Sequence, residues 1–274
     1  MTKYIILIVF ISTQIGFGQT VLNSKGDMDC TLTNNTMQEG EYLVYKMYYN
    51  VGFVWLAAGE VTFQVHKRGP EFQLVSRGYT YPKYDKFFKV RDYFESAIDS
   101  STFLPRYFKR EIEEGKYIRF DSISFDQATH VVKEYFGKSR ESAEEFQYTL
   151  NHCVHDLLSI VYNLRNLDIT NISSGDRIPL DVFFDKELFQ LSLIYEGEQT
   201  KKIKNLGKCK VKQFSPTLIT GNVFTEDAKM HIYVSDDRVK IPLLIESPIT
   251  VGSVKAILSE YKGLKFPIEA INLN

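Results

Sequence analysis

The densest group of reactive side chains lies in the segment 151–159, which contains two histidines, an aspartate and a serine. His152 and Asp156 are four residues apart, as are His155 and Ser159, so in a helix each pair would share a face. Imidazole and carboxylate groups are ligands that zinc accepts, but a zinc site needs a third or fourth ligand. Two interpretations stay open: these residues form a metal or catalytic site, or they line the polar face and N-terminus of a helix.

The sequence lacks the motifs that would identify a catalytic or metal site. It has no H-E-x-x-H motif, no paired C-x-x-C motifs and no G-x-S-x-G nucleophile elbow. A helical serine one turn from a histidine also lacks the donors of an oxyanion hole. A glycine-rich phosphate loop and a dinucleotide fingerprint are absent as well. We therefore predict no catalytic residue, no metal ligand and no cofactor.

Carboxylates near turns suggest a second kind of chemistry. Two carboxyl groups about 5–9 Å apart can hydrolyse a glycosidic bond, but the order of residues does not show which ones would pair. Asp236 and Asp237 are typical of a turn that their side chains fix through hydrogen bonds to the backbone. A hydrolase acting on envelope or extracellular polysaccharide is therefore kept as the alternative function.

One segment has the spacing of a helix. Between Thr149 and Asp168 the apolar residues recur at intervals of three, four and seven, which predicts a single long amphipathic helix. Thr149 or Asn151 could cap its start, and Arg165 suits the negative pole at its end. We expect Asp156 to bond helix N-terminal amides or a neighbouring strand, and Arg165 to pair with a carboxylate on a sheet.

The rest of the chain from residue 41 repeats extended apolar runs and turns, beginning with runs at 42–49 and 51–66. Apolar and polar residues alternate with a period of two, which indicates half-buried strands. Glu196 and Gly197 read as a turn between two of them. About a dozen strands with short connections predict a mainly β fold, a curled antiparallel sheet (half-barrel or β-roll) packed around the one long helix.

The N-terminal residues predict export. Lys3 supplies a positive start, an apolar run follows at 4–11, and small residues precede Gln19, which is typical of a cleaved secretory signal. The run is too short to span a bilayer, although a retained anchor is the alternative. We expect the periplasm or outer envelope of a bacterium, with no transmembrane segment in the mature chain. The predicted organisation is a signal peptide at 1–18, a flexible leader at 19–38, a single β-rich domain at 39–264 and a C-terminal tail at 265–274.

Three cysteines, Cys30, Cys153 and Cys209, follow the predicted signal. In an oxidising compartment two of them can form a disulfide, although the connectivity cannot be deduced from a sequence. We predict that Cys30 pairs with Cys153 and that Cys209 is a small buried hydrophobe. The alternative is three unpaired thiols.

Aromatic residues supply the candidate ligand-binding site. The chain contains 17 tyrosines and 20 phenylalanines, and several of them fall in the first two extended runs. If the concave side of the sheet is unfilled, Tyr45, Tyr49, Phe53 and Trp55 would line a pocket for an apolar or sugar ligand. If the helix fills that side, they belong to the core.

The charge balance limits the partners. With 33 basic and 34 acidic residues the net charge is −1, so neither nucleic acid nor an anionic membrane would be attracted electrostatically. The remaining candidates are an envelope lipid, a glycan or a protein.

Several landmarks together resemble a known family. They are Gly40-Glu41, Ala58-Gly59-Glu60, Pro105, Asp156-x-x-Ser159-x-x-Tyr162-x-x-Arg165, Gly175-Asp176, Ser235-Asp236-Asp237 before Ile241-Pro242, and Gly252-Ser253. Their order and spacing, from about Cys30 to Gly263, resemble the exported bacterial family called domain of unknown function 3108. The resemblance implies an envelope protein with an antiparallel β-rich fold. It implies no activity and no catalytic residues.

The sequence therefore favours a non-enzymatic exported protein that binds an apolar or amphiphilic envelope component or a protein partner. The richness in aromatic residues and the missing catalytic signatures carry this prediction. Besides the hydrolase, a purely structural assembly partner stays open, and such a protein would expose a large apolar patch.

Overall fold

The computed structural model describes residues 32–51, 54–217, 229–249 and 252–271. The predicted signal peptide at 1–18, together with Cys30 and Phe53, lies outside the described residues. Within those ranges, no helix combines the length and the apolar character needed to cross a bilayer.

Fourteen strands of the described chain form one antiparallel sheet. They are β1 (Tyr42–Val51), β2 (Val54–Arg68), β3 (Glu71–Thr80), β4 (Val90–Asp99), β5 (Pro105–Glu114), β6 (Tyr117–Asp126), β7 (Val131–Gly137), β8 (Glu144–Thr149), β9 (Arg177–Phe184), β10 (Glu187–Ile203), β11 (Gly207–Pro216), β12 (His231–Ser235), β13 (Pro242–Pro248) and β14 (Ser253–Lys262). A short 3₁₀ helix spans Pro82–Tyr84, and the α-helix α1 spans Ser159–Asn166.

The strands form two meanders that meet in the middle of the sheet. Strands β1 to β8 pair in chain order toward one edge, and β14 back to β9 pair in the same way toward the other. Pairing of β1 with β14 joins the halves. The sheet is not closed, because β8 and β9 are its edges. The predicted mainly β, antiparallel fold is confirmed.

Alternation along the strands creates the core. In β4 every second residue is buried, from Val90 through Phe94 to Ile98. Phe108 of β5 and Ile123 of β6 are buried on the same side. Because successive side chains of a strand point to opposite faces, this pattern gives the sheet one inward face that carries the core.

The expected turn at Glu196-Gly197 is wrong. Strand β10 runs through both residues without a break, and its pairing with β11 shifts register between Tyr195 and Gly197. The backbone of Gly197 has a φ of +122°, which side chains disfavour and glycine accepts. The glycine therefore marks a β-bulge inside one long strand.

The long helix expected over 149–168 is also wrong. Thr149 ends β8, and α1 is a single helix of eight residues, Ser159–Asn166. Between them the chain is irregular, with bends at Asn151 and His152 and a turn at Leu157 and Leu158, and His155 forms a parallel bridge with Val182 of β9. Its amide donates to the carbonyl of Asp181 at 2.9 Å, and its carbonyl accepts from the amide of Phe183 at 2.8 Å.

These two hydrogen bonds explain why the helix starts late. Backbone groups that bond an edge strand are unavailable for a helical ladder, so tertiary pairing overrides the helical spacing. The apolar residues of this irregular stretch, Val154, Leu157 and Leu158, are nevertheless buried. The spacing of three and four here comes from an irregular segment that buries the same apolar residues as a helix would bury.

Side chains cross the gap between the two ends of the sheet. The rings of Tyr148 in β8 and Phe183 in β9 lie 5.0 Å apart. The amide of Lys186, in the β9–β10 turn, donates to Glu134 of β7 at 3.2 Å. Arg110 of β5 forms an ion pair with Asp185 of the same turn. We call this region the seam.

Segments beyond the sheet pack onto it and onto α1. Asn166 accepts hydrogen bonds from the amides of Asn35 and Thr36, at 2.7 and 3.2 Å, and Met37 is buried. At the other end, the carbonyl of Ala270 accepts a hydrogen bond from the amide of Lys210 at 2.9 Å. The described parts of the predicted leader and tail are thus in contact with the β-rich core.

Candidate functional site

A cavity lies between α1 and the inward face of β1, β2 and β9–β14, and its volume is about 220 Å³. Its lining is almost entirely apolar. Examples are Leu43, Met47, Leu180, Leu193, Ile245 and Ala256. An apolar cavity of about 150 Å³ is large enough to bind benzene, so this one has room for a larger apolar group.

Only four of the residues that line the cavity carry a polar atom in the side chain: Tyr45, Tyr162, Arg165 and Lys240. The hydroxyl of Tyr45 donates to the carbonyl of Pro242 at 2.9 Å. Burial raises the pKa of the phenol of Tyr45 well above its usual range, so it stays neutral. The cavity lining thus contains few polar atoms, and the hydroxyl of Tyr45 already has a hydrogen-bond partner in the protein.

Arg165 fixes α1 to the start of the sheet. Its guanidinium donates to both carboxylate oxygens of Glu41, at 2.6 and 2.9 Å, and its Nε donates to the carbonyl of Val239 at 3.1 Å. Both charged side chains are buried. The carboxylate expected for Arg165 is therefore Glu41, the residue before β1, and the geometry is the bidentate fork that makes such pairs strong.

The four aromatic residues predicted to bind a ligand lie in different places. Tyr45 lines the cavity. Tyr49 is half-buried and packs against the core without being part of the cavity lining. Trp55 is 39 % exposed, and the ammonium of Lys255 lies 4.5 Å from its ring. Phe53 lies outside the described residues.

The lining that sequence reasoning missed is aliphatic and comes mainly from β9–β13. Ile178, Leu180 and Val182 alternate along β9 and all face the cavity. Their period of two was a signal for an inward face, but the sequence alone did not show that this face is left partly unfilled.

The densest predicted cluster caps α1. The carboxylate of Asp156 accepts from the amides of Leu158 and Ser159, at 2.7 and 2.9 Å. Its second oxygen accepts from the hydroxyl of Ser96 in β4 at 2.6 Å. Burial raises the pKa of Asp156 to about 6, although these hydrogen bonds oppose the shift. One carboxylate therefore satisfies helix amides and ties α1 to the sheet.

His155 and Ser159 are neighbours, but they are closed off from solvent. The Nδ1 atom of His155 lies 3.1 Å from the hydroxyl of Ser159. His155 is 1 % exposed, and Asp156 and Ser159 are 0 % exposed. Burial lowers the pKa of His155 to about 3, so its ring is neutral. A substrate has no access to this serine, and the cluster organises the start of α1.

The other predicted site residues do not join this cluster. His152 lies 3.0 Å from the carboxylate of Asp181 rather than against Asp156. Asp236 lies 3.3 Å from the ammonium of Lys212. In the described residues there is no group of three His, Cys, Asp or Glu side chains arranged to hold a metal ion.

Two of the three cysteines lie in the described residues. Cys153 is disulfide-bonded and buried, and Cys209 is buried in the core beside the carbonyl of Leu206. Because Cys30 lies outside the described residues, the pairing of Cys30 with Cys153 stays a prediction.

Replacement of Asp156 by alanine is expected to cost about 2 kcal/mol of unfolding free energy, because it removes a cap and leaves the buried hydroxyl of Ser96 without its acceptor. Urea unfolding at pH 7 measures this. Asp168→Ala is the matched control, since Asp168 is exposed and its carboxylate accepts hydrogen bonds from the nearby Thr170. Equal losses in the two variants would contradict a capping role.

A second buried cluster was not predicted. At one end of the inward face of β4–β7, four carboxyl groups and one guanidinium are buried side by side. They are Asp92, Glu114, Asp121, Glu134 and Arg110. Asp92 interacts with Glu114, and Glu134 interacts with Asp121. Arg110 donates to Asp121 at 2.9 Å and reaches across the seam to Asp185.

Each carboxyl pair in this cluster holds a proton at neutral pH. Burial first, and then the charge of Glu114, raises the pKa of Asp92 to about 9. Burial and the neighbouring Asp121 raise the pKa of Glu134 to about 9, and burial raises that of Glu114 to about 7. Two carboxylates in contact cannot both ionise in a desolvated site. The signal in the sequence was a charged residue at inward positions of an alternating strand, as with Asp92 between Val90 and Phe94.

The sequence model of the family described as "Protein of unknown function (DUF3108)" matches residues 44–259. The chain belongs to this family. The resemblance noted in the sequence is thereby confirmed, and membership of DUF3108 brings no assigned activity. No curated protein matches the chain significantly.

Two solved structures are similar to this member of DUF3108. One is a β-barrel-like protein of the domain of unknown function DUF1849 from Brucella abortus, with 8 % identity and a TM-score of 0.56 over 85 % of this chain and 99 % of that one. The other, from Bacteroides fragilis, has a YmcC-like fold, with 11 % identity and a TM-score of 0.29 over the same shares of the two chains. The first supports a barrel-like fold and nothing about function.

Proposed function

We propose that this DUF3108 protein is an exported binding protein that holds the apolar part of an amphiphilic envelope molecule in the cavity beneath α1. The apolar cavity of about 220 Å³ is the observation that carries the proposal. Export rests on the pattern of residues 1–18, which a secretory signal would explain.

An empty apolar cavity of this size destabilises the folded protein. Protein interiors are packed as densely as organic crystals, and voids larger than a water molecule are few. Side chains around a void lose dispersion contacts on the empty side. An apolar guest restores these contacts and removes its own surface from water, whereas water gains little from a cavity with so few polar atoms.

The arrangement favours binding over the alternative, hydrolysis of a polysaccharide. Glycoside hydrolysis needs two carboxyl groups on opposite sides of a bond that solvent-borne substrate can reach. Among the described residues, Asp92 is buried against Glu114, and Asp156 is occupied with the cap of α1. Asp237 fixes a turn by accepting from the amide of Val239 at 3.1 Å.

Filling the cavity is expected to abolish binding. Ala256→Phe places a ring in the space from β14, because Ala256 is buried and lines the cavity. We expect the wild-type protein, purified from the envelope of its source cells, to carry a lipid-sized molecule in native mass spectrometry. It should also bind the apolar probe N-phenylnaphthylamine, and the variant should bind this probe at least about tenfold more weakly.

The matched control is Ala128→Phe, which adds the same ring at an exposed position in the β6–β7 turn. It should bind as the wild type does. Equal binding by Ala256→Phe, or a wild-type protein that carries no molecule and binds no probe, would contradict the proposal.

A further inference from the structure

We propose that the ligand is a single-chain fatty acid and that the ammonium of Lys240 binds its carboxylate. This inference deepens the proposed function and rests on it. The cavity has room for one apolar chain, and two of its lining residues, Arg165 and Lys240, are cationic.

Arg165 is already neutralised. Its guanidinium is shared between both oxygens of Glu41 and the carbonyls of Val239 and Thr36. An anion that approached Arg165 would have to displace Glu41 from a buried bidentate ion pair, which is unfavourable. A ligand therefore meets Arg165 as part of the wall of the cavity.

Lys240 has no such partner. Among the described residues no carboxylate oxygen lies within 4.0 Å of its Nζ atom, and the ammonium donates to the carbonyl of Leu167 at 2.6 Å. An ammonium has three donors, so hydrogen-bonding capacity is left for a ligand. Burial of the half-buried side chain lowers the pKa of Lys240, while the charge of Asp168 favours the ammonium form and that of Lys212 opposes it.

The backbone holds Lys240 at this point. Its φ is +47°, a left-handed conformation that is uncommon for residues other than glycine. The turn before it is fixed by Asp237, which accepts from the amides of Val239 and Lys240 at 3.1 and 3.3 Å. The ammonium is thus placed at the C-terminal end of α1, where Leu164 and Arg165 also line the cavity.

This placement matches a chain with one negative end. The apolar chain would lie among the aliphatic side chains, and its carboxylate would supply the charge that the half-buried ammonium lacks. A single lysine balances one negative charge, which suits a carboxylate better than a doubly charged phosphate ester.

The test is calorimetric titration at pH 7.5 with decanoic acid and with 1-decanol, which has the same chain length and no charge. We expect the wild-type protein to bind the acid more tightly. Lys240→Met should weaken binding of the acid about tenfold and leave binding of the alcohol unchanged. Lys240→Arg, which keeps the charge, should bind the acid as the wild type does.

Lys116→Met is the matched control, because Lys116 is exposed in the β5–β6 turn, and it should change neither affinity. This inference is overturned if Lys240→Met binds the acid as tightly as the wild type does. It is also overturned if the wild type binds decyl phosphate more tightly than decanoic acid and this binding depends on Lys240. In either case, binding of the alcohol would preserve the proposed function. A wild-type protein that binds neither probe overturns both.

Discussion

Replacement of Arg165 by methionine is expected to lower the free energy of unfolding by about 3–5 kcal/mol, the range for breaking a buried ion pair by removing one partner. Glu41 would be left as a buried, unpaired carboxylate, and the bonds to the carbonyls of Val239 and Thr36 would be lost. Because Arg165 holds α1 against the first strand, the loss also loosens the wall of the cavity. Chemical unfolding at pH 7 measures the change.

Two further variants sharpen this experiment. Arg106→Met removes an ion pair with Asp99 in which the arginine is more than half exposed, and such pairs contribute about 0–1 kcal/mol. The double variant Arg165→Met with Glu41→Leu removes both buried charges and should recover part of the loss. A loss for Arg165→Met no larger than that for Arg106→Met would show that the buried pair does not hold α1.

The free energy of unfolding is expected to fall as the pH rises from about 5 to 9, by roughly 1 kcal/mol per pH unit for each of the two buried carboxyl pairs. The folded state keeps a proton on Asp92, whose pKa is about 9, and on Glu134, whose pKa is about 9. In the unfolded chain the same groups ionise near pH 4. The folded protein therefore binds more protons over this range, and stability decreases with rising pH.

Denaturant titrations at half-unit pH intervals measure this slope. Asp92→Asn and Glu134→Gln keep the shape of the protonated side chains and remove their titration, so each variant should flatten the slope and be more stable than the wild type at pH 9. Asp99→Asn is the matched control, because hydrogen bonds from Ser101 lower the pKa of Asp99 below its usual range and its removal should not flatten the slope. Stability that rises between pH 5 and 9 would contradict the assignment.

Most of the sheet could be predicted because strand formation leaves a local signal. The alternation of buried and exposed residues in β4 is visible in the sequence, and Gly115 at the β5–β6 turn marks a hairpin. Strand β8, the edge strand Glu144–Thr149, was missed because its residues are mostly half-buried or exposed and carry little apolar alternation. Edge strands take their pairing from one neighbour, so local pattern identifies them poorly.

The helix was overpredicted for a different reason. Periodicity reports which residues become buried, and an irregular segment can bury the same set as a helix. What decides is the pairing of His155 with β9, which involves residues far apart in the chain. Asp156 was expected to bond amides at the helix start or a neighbouring strand, and its carboxylate accepts hydrogen bonds from both. Capping is a local interaction, so the sequence can indicate it.

The candidate sites depended more on three-dimensional arrangement. Of the predicted aromatic residues that the structure describes, Tyr45 alone lines the cavity, since the cavity is defined by what the inward face fails to fill. The buried carboxyl pairs could not be foreseen either, because Asp121 and Glu134 come together only through the pairing of β6 with β7. Composition indicates that a core exists, and the register of the sheet decides what lies inside it.

The pairing of β1 with β14 has a consequence for how the protein folds. Each meander can be assembled from hairpins between neighbours in the chain, which close small loops quickly. The junction instead joins Tyr42 to Lys262, near opposite ends of the described chain, so it has a high contact order and is expected to form late. Until then β1 and β14 each present an unpaired edge to other molecules. The newly made chain would therefore pass through a stage in which self-association competes with maturation.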